Sequence, residues 1–278
     1  MIPEGRGFFK MSGSGNDFVM VDARTEPPGE LASPQVIGRI CARATGVGAD
    51  GIVFLEKSSV ADIRLTYLNS DGSRAALCGN ATLCTTRLSV DLGIANPAGF
   101  QIETDSGVVA ARMAGSLPEI DLPAVTDVRA VAEGISTAMG ERRIGFALVG
   151  VPHLVIACDD VSTVDVVGRG RPLRSHPSLP FGANVNFVSQ QADPGRWRMR
   201  TYERGVEAET LACGSGSVAT AILLASWTDG ATSEQTVELV TSSGIPLRVR
   251  IRRDGSAWLP TLRGEGRVVF HGWLSELA

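Results

Sequence analysis

The chain lacks much of what several common chemistries require. Its 278 residues contain three histidines, His153, His176 and His271, none at H-x-x-x-H spacing. Its five cysteines, Cys41, Cys78, Cys84, Cys158 and Cys213, form no C-x-x-C pair. A histidine-rich metal centre, a zinc ribbon and an even disulfide framework are thereby excluded; no metal is expected, and free thiols in a reducing compartment fit best. The net charge is −4 and no run of Lys and Arg is present, so the electrostatic footprint of a nucleic-acid binder is missing. The longest mostly apolar stretch, Val218 to Trp227, is half a membrane span, and Met1 to Lys10 has no apolar core of signal-peptide length. A cytoplasmic enzyme acting on a small molecule, with no membrane partner, is the expectation.

What is present is an ordinary globular composition, 44% hydrophobic and 20% charged, with 32 glycines pointing to many turns. The length is about twice that of a typical domain, which leaves two lobes or one large core. A repeat favours two lobes. Tyr67-Leu-Asn-Ser-Asp-Gly-Ser-Arg-Ala-Ala-Leu-Cys78-Gly-Asn matches Tyr202-Glu-Arg-Gly-Val-Glu-Ala-Glu-Thr-Leu-Ala-Cys213-Gly-Ser, with the same 11-residue Tyr-to-Cys spacing. After each Cys-Gly comes a helical stretch, then a strand pair turning at Ser-Gly, at Gly107 in the first copy and Gly244 in the second.

Period and punctuation place strands at Phe8–Met11, Phe18–Ala23, Ile52–Glu56, Ile63–Asn69 and Gly107–Met113, with Asn16–Val21 and His153–Ala157 as related strands of the two copies. Helices are expected from Ser33 to Arg43, with Pro34 at the first position, from Asn80 to Leu92, and from Gly216 to Trp227, which should be buried and central. The segment Ala130 to Gly140 reads as a short polar helix or linker. The expected fold is α+β: two pseudo-symmetric lobes from an internal duplication, residues 1–128 and 129–278, each a mainly antiparallel sheet wrapped on a central helix.

Cys78-Gly79-Asn80 and Cys213-Gly214-Ser215-Gly216 each put a thiol and unpaired backbone amides at a helix start. Such a position favours a bound carboxylate and a thiolate. Two such thiols, facing each other in a cleft between lobes, suit proton removal from one face of a carbon beside a carboxylate and proton delivery to the other, that is, racemisation or epimerisation. A free cysteine taken alone is more often a buried apolar side chain, and Cys41, Cys84 and Cys158 are read that way. A generic phosphate loop is the rival reading of Gly214-Ser-Gly216, but no P-loop lysine follows it.

These residues resemble the diaminopimelate epimerase family. The motifs are Gly15-Asn16-Asp-Phe, Gly46-Val-Gly-Ala-Asp-Gly51, Asn69-Ser-Asp-Gly-Ser with Cys78-Gly-Asn80, Tyr202-Glu-Arg-Gly, and Glu209-Thr-Leu-Ala-Cys213-Gly-Ser-Gly; together, in order, they span nearly the whole chain. The resemblance implies an isomerase of lysine and peptidoglycan-precursor synthesis that interconverts LL- and meso-diaminopimelate without pyridoxal phosphate or any other cofactor, and possible homodimers. It implies Cys78 and Cys213 as the acid/base pair, and His153 and Glu203 as tuners of the thiols. Gly79, Asn80, Gly214 and Ser215 would hold the reacting carboxylate, with Asn16, Asn69, Asn184, Glu203 and Arg204 around the rest of an amino-acid substrate. Arg204 suits a carboxylate and Glu203 an ammonium.

Three departures from the family pattern bear on substrate choice: Val151 in Gly150-Val-Pro-His153 where the family has Asn, Ala81 and Thr82 after Asn80, and one extra residue between Glu203 and Thr210. The alternatives are a cofactor-independent racemase of another amino acid, and a non-catalytic amino-acid-binding relative.

Overall fold

A computed structural model describes residues 5–193, 195–228 and 233–275. The chain divides into two compact units, Met1–Ile120 with Arg263–Ala278, and Asp121–Leu262.

The first unit contains strands β1 (Arg6–Gly13), β2 (Asn16–Asp22), β3 (Gly51–Glu56), β4 (Ile63–Asn69), β5 (Phe100–Thr104), β6 (Gly107–Ala114) and β7 (Leu117–Asp121), with helices α1 (Pro34–Cys41) and α2 (Gly79–Asp91). β1 and β2 form an antiparallel hairpin, β2 runs parallel to β3, β3 antiparallel to β4, β4 parallel to β5, and β5 antiparallel to β6. Alternation along the central strands decides which helix covers which face. Val19, Val21, Ile52 and Phe54 pack with Val36, Ile37 and Ile40 of α1. Phe18, Met20, Val53 and Leu55, one residue out of phase, are equally buried on the other face. Strands covered on both sides read as continuous apolar runs, which is why Ile52–Leu55 carries no polar residue.

The second unit repeats this plan with β8 (Val128–Arg129), β9 (Glu141–Val149), β10 (Val151–Cys158), β11 (Asn184–Gln190), β12 (Arg196–Glu203), β13 (Ala208–Thr210), β14 (Glu234–Val240), β15 (Pro246–Asp254) and β16 (Ala257–Arg263), and helices α3 (Val166–Arg174) and α4 (Gly214–Ser226). Here β9 and β10 form the antiparallel pair, β10 is parallel to β11, β11 antiparallel to β12, β12 parallel to β14, and β14 antiparallel to β15. The order of parallel and antiparallel pairings is that of the first unit, so the duplication extends well beyond the cysteine motifs. α3 packs on β11 and β12 through Val166, Leu173, Phe187 and Tyr202, while α4 lies against β9, β10, β11, β14 and β15. Ala219, Ile222 and Leu223 of α4 are fully buried, as expected for a central helix.

Four details differ from the sequence expectations. The final strand, β17 (Arg267–Leu274), pairs antiparallel with β1, so the C-terminal segment placed in the second lobe belongs to the first unit. It occupies beside β1 the place that β8 takes beside β9, and it satisfies backbone groups of β1 that would otherwise form an open edge. The segment from Ala130 to Gly140 forms turns and extended chain rather than a helix, tied in by a bond from the Ala132 amide to the Ile144 carbonyl. α1 stops at Cys41, because Ala42 is extended and its amide bonds to the Arg39 carbonyl. α2 and α4 each begin earlier than expected, at the glycine that follows the cysteine.

Gly13, at the end of β1, is required by a close approach. A Cβ there would sit 2.8 Å from the Asn80 carbonyl oxygen and 3.1 Å from the Cys84 sulfur, both on α2. Gly13→Ala is expected to push the first turn of α2 away and to cost about 1–3 kcal/mol. Chemical denaturation of the variant checks this; unchanged stability would mean that α2 has room to shift.

Candidate active site

The helix that follows each cysteine starts in the same way. Cys78 is the N-cap of α2 and Cys213 the N-cap of α4, both in extended conformation. The first helical bonds run from the Thr82 amide to the Cys78 carbonyl and from the Ser217 amide to the Cys213 carbonyl, each 2.9 Å. Thr82 and Ser217 also donate their hydroxyls to the same two carbonyls, at 2.8 and 2.9 Å. Gly79 and Asn80 in one unit, and Gly214 and Ser215 in the other, therefore have amides that precede the first intrahelical bond. Such groups favour anions.

In the first unit Cys78 is half-buried, and the residue two places on, Asn80, is almost fully buried and donates its side-chain amide to the Asn16 side-chain oxygen. The orientation of Asn16 is set from behind. Its amide nitrogen donates to Asp50 at 3.0 Å, so its oxygen must face Asn80. Asp50 and Asp17 are bridged by Arg43, and Lys10 donates to Asp17 at 2.6 Å. Burial alone would raise the pKa of Asp17, but hydrogen bonds from Arg43 and Lys10, with their charges, hold it below the usual carboxylate value.

The Gly46–Gly51 motif has a structural purpose in this arrangement. Gly48 has φ of +74°, and a Cβ on Gly51 would strike Leu68 and Tyr67, so the glycines let the chain bring Asp50 beside Asn16. Among the described residues the side-chain oxygen of Asn80 is buried without a hydrogen-bond partner, an arrangement that costs about 1–3 kcal/mol. Asn69, at the end of β4, donates to the Ser73 side chain at 3.0 Å.

In the second unit Cys213 is buried, and its sulfur accepts from the Gly216 amide at 3.3 Å and lies 3.6 Å from the Ser215 hydroxyl. The Ser215 hydroxyl is 3.0 Å from His153 Nε2. His153, on β10, is fully buried; burial, reinforced by the positive charge of Arg204, pushes its pKa down to about 3, so the ring is neutral at pH 7. Asn184, on β11, accepts from the Arg204 amide at 2.8 Å, and Arg204 reaches the Phe181 carbonyl at 2.7 Å. Glu203 and Arg204 are half-buried at the end of β12. The turn after them is braced by Glu207, which accepts from the Gly205 amide and from Arg174. Val151 is half-buried two residues before His153.

The sequence reading missed the residues standing behind these groups: Asp50, Asp17 and Arg43 behind Asn16, and Asn186 and Thr201 behind His153. One signal was available, since Asn184 and Asn186 are polar residues two apart, hence on one face, alternating with apolar Val185 and Phe187. The remaining cysteines are packing residues. Cys41 and Cys158 are pushed up to about 11 by burial, and buried Cys84 well above the usual thiol value by burial and the neighbouring Cys78. Among the described residues no group of three or more His, Cys, Asp or Glu could hold a metal ion, and no helix is long and apolar enough to cross a membrane.

The duplicated α+β architecture is one found in solved structures over nearly the whole length. A Bacillus anthracis phenazine biosynthesis protein of the PhzF family superposes with a TM-score of 0.77 at 16% identity, covering 97% of this chain and 98% of that one. A hydroxyproline epimerase from Agrobacterium vitis, solved with trans-4-OH-L-proline bound, gives 0.68 at 17% identity, covering 98% and 93%. At these identities the likeness defines a fold class.

Sequence comparison is more specific. The family model for diaminopimelate epimerase matches residues 8–119 and 145–269. Diaminopimelate epimerase of Gemmatimonas aurantiaca is 50% identical over 97% of this chain and 99% of its own, and that of Aquifex aeolicus 37% identical over 97% and 98%. The chain is an isomerase of the diaminopimelate epimerase family.

The depressed His153 pKa has a consequence for stability. Between about pH 3 and 6.5 the unfolded chain binds a proton at this residue that the folded chain does not, so stability falls as pH drops through that window. His153→Gln is expected to flatten the slope of unfolding free energy against pH there by up to about 1.4 kcal/mol per pH unit. Denaturant titrations of both proteins at several pH values measure it; parallel slopes would mean that His153 is protonated in the folded protein.

Proposed function

We propose that this chain interconverts LL- and meso-diaminopimelate without a cofactor, with Cys78 and Cys213 as a two-base pair. One thiolate removes the α-proton from one face, the electron pair delocalises into the adjacent carboxylate, and the other thiol delivers a proton to the opposite face. The roles exchange in the reverse direction, so no proton or electron is left over. The observation that carries this reading is the repeated N-cap cysteine: each unit starts its central helix with a thiol beside amides that precede the first helical bond. Those amides would bind the reacting carboxylate and stabilise charge developing on it in the transition state. Asn16, Asn69 and Asn184, with Glu203 and Arg204, would hold the rest of the substrate, and Glu203 and His153 would tune the thiols. That the two thiols act on one carbon is part of the proposal.

The relatives' names and the intact cysteine motifs favour diaminopimelate, while Val151 in place of Asn is the observation that favours a related amino acid. Five cysteines, an odd number with no C-x-x-C pair, fit a reducing compartment and support a cytoplasmic location. Exposed Val269, Phe270 and Trp273 on β17 support a homodimer.

Incubation of the reduced protein with LL-diaminopimelate in deuterated water should give deuterium at the α-carbon together with the meso isomer. Cys78→Ala and Cys213→Ala should each lose at least about a thousandfold in turnover, as loss of an essential acid or base does. Meso product from either variant at the wild-type rate would sink the two-base assignment. Exchange only with another amino acid would select the alternative substrate.

If both thiols face one carbon, mild oxidant should link Cys78 to Cys213, which needs Cα atoms within about 7 Å, and abolish activity until thiol reductant is added. Peptide mapping by mass spectrometry checks the link. Full activity in the oxidised protein with no such link would count against it.

A further inference from the structure

His153 is held by its back as well as its front. Its Nδ1 lies 3.2 Å from the Asn186 amide nitrogen, and that nitrogen also donates to the Leu154 carbonyl at 2.9 Å. The carbonyl can only accept, so it decides which end of the Asn186 side chain is nitrogen. Thr201 then donates to the Asn186 oxygen at 3.0 Å, consistent with that orientation. Asn186 is fully buried, and a Cβ on Gly216 would sit 2.3 Å from its oxygen, so the amide has no room to swing.

With an amide proton pointing at Nδ1, a neutral imidazole must carry its own proton on Nε2. Nε2–H then donates to the Ser215 oxygen, which leaves the Ser215 hydroxyl proton to point at the Cys213 sulfur. The sulfur thus faces two donors, the Ser215 hydroxyl and the Gly216 amide.

We infer that Asn186 is a positioning residue for the Cys213 half of the reaction: it locks His153 as the Nε2–H tautomer, and the chain of donors through Ser215 stabilises the Cys213 thiolate. The inference rests on the two-base reading for its catalytic meaning, but the relay itself is a property of the folded second unit. Arg204 is the charged side chain whose field reaches His153, and it disfavours a second proton on the ring. The first unit has a different support: the residue two places beyond its cysteine is Asn80, whose side chain bonds to Asn16.

The test uses the full chain labelled with 15N-histidine. With only three histidines, the His153 signal is the one missing in His153→Gln. At pH 7 it should have the shifts of a neutral Nε2–H ring. Asn186→Asp, which offers Nδ1 an acceptor, should convert it to the Nδ1–H tautomer.

Alkylation by iodoacetamide supplies the second readout, because the thiolate is the reacting species and Cys78 serves as an internal reference. Ser215→Ala and Asn186→Asp should slow alkylation of Cys213 about tenfold relative to Cys78, the effect of losing one hydrogen bond to a charged group. In Ser215→Ala, kcat should fall by a similar factor with KM within about twofold. Ser215→Ala removes one hydroxyl at the helix start, so it keeps the test valid if Asn186→Asp fails to fold.

An Nδ1–H or charged ring in the wild type, or unchanged relative alkylation in Ser215→Ala, overturns the relay and leaves the two-base reading standing. Meso product formed in Cys213→Ala at the wild-type rate overturns the two-base reading and leaves the tautomer result intact.

Discussion

The constraint on which the structure depends is the start of the central helix in each unit. A helix leaves its first amides unpaired, and burying that end inside a sheet is costly unless something meets them. Here the cysteine backbone accepts the first helical bond, a hydroxyl four residues on bonds to the same carbonyl, and the amides of the two residues after the cysteine precede the first intrahelical bond. Much around the helix start serves this arrangement: glycine at Gly13 admits the first turn of α2, and glycine at Gly216 admits Asn186 against α4.

The two units share a pairing order and a helix start but have diverged in the polar groups behind them. In the first, a charged cluster of Lys10, Asp17, Arg43 and Asp50 orients Asn16, which in turn holds Asn80. In the second, neutral groups do the equivalent work, with Thr201, Asn186, His153 and Ser215 in a buried chain. A charged network tolerates the half-exposed surroundings of Asn16, whereas full burial at His153 makes a neutral chain the less costly solution.

Much of the fold was legible in the residues. The strands around Ile52 and Ile63, the turns at Gly107 and Gly244, and the apolar helix after Cys213 follow from period and punctuation, which report local geometry. α3 was not anticipated, since its nine residues contain Gly168, Gly170 and Pro172; it forms because Asp165 caps it and Gly170 lets it lie against Tyr202. The last strand was assigned to the wrong lobe because its partner, β1, is at the other end of the chain, and hydrophobic alternation does not say which edge a strand will join.

By itself the sequence determined the duplication, the two helix-capping thiols and the resemblance to diaminopimelate epimerases, because each is written in short motifs whose spacing is local. Only the tertiary structure decided what stands behind the candidate site residues: Asp50 behind Asn16, Asn186 behind His153, and Ser215 between an imidazole and a sulfur. Those partners come from separate strands brought together by sheet register and by the close seating of a helix end. Such contacts depend on tenths of an ångström of backbone approach, which residue type and spacing do not encode.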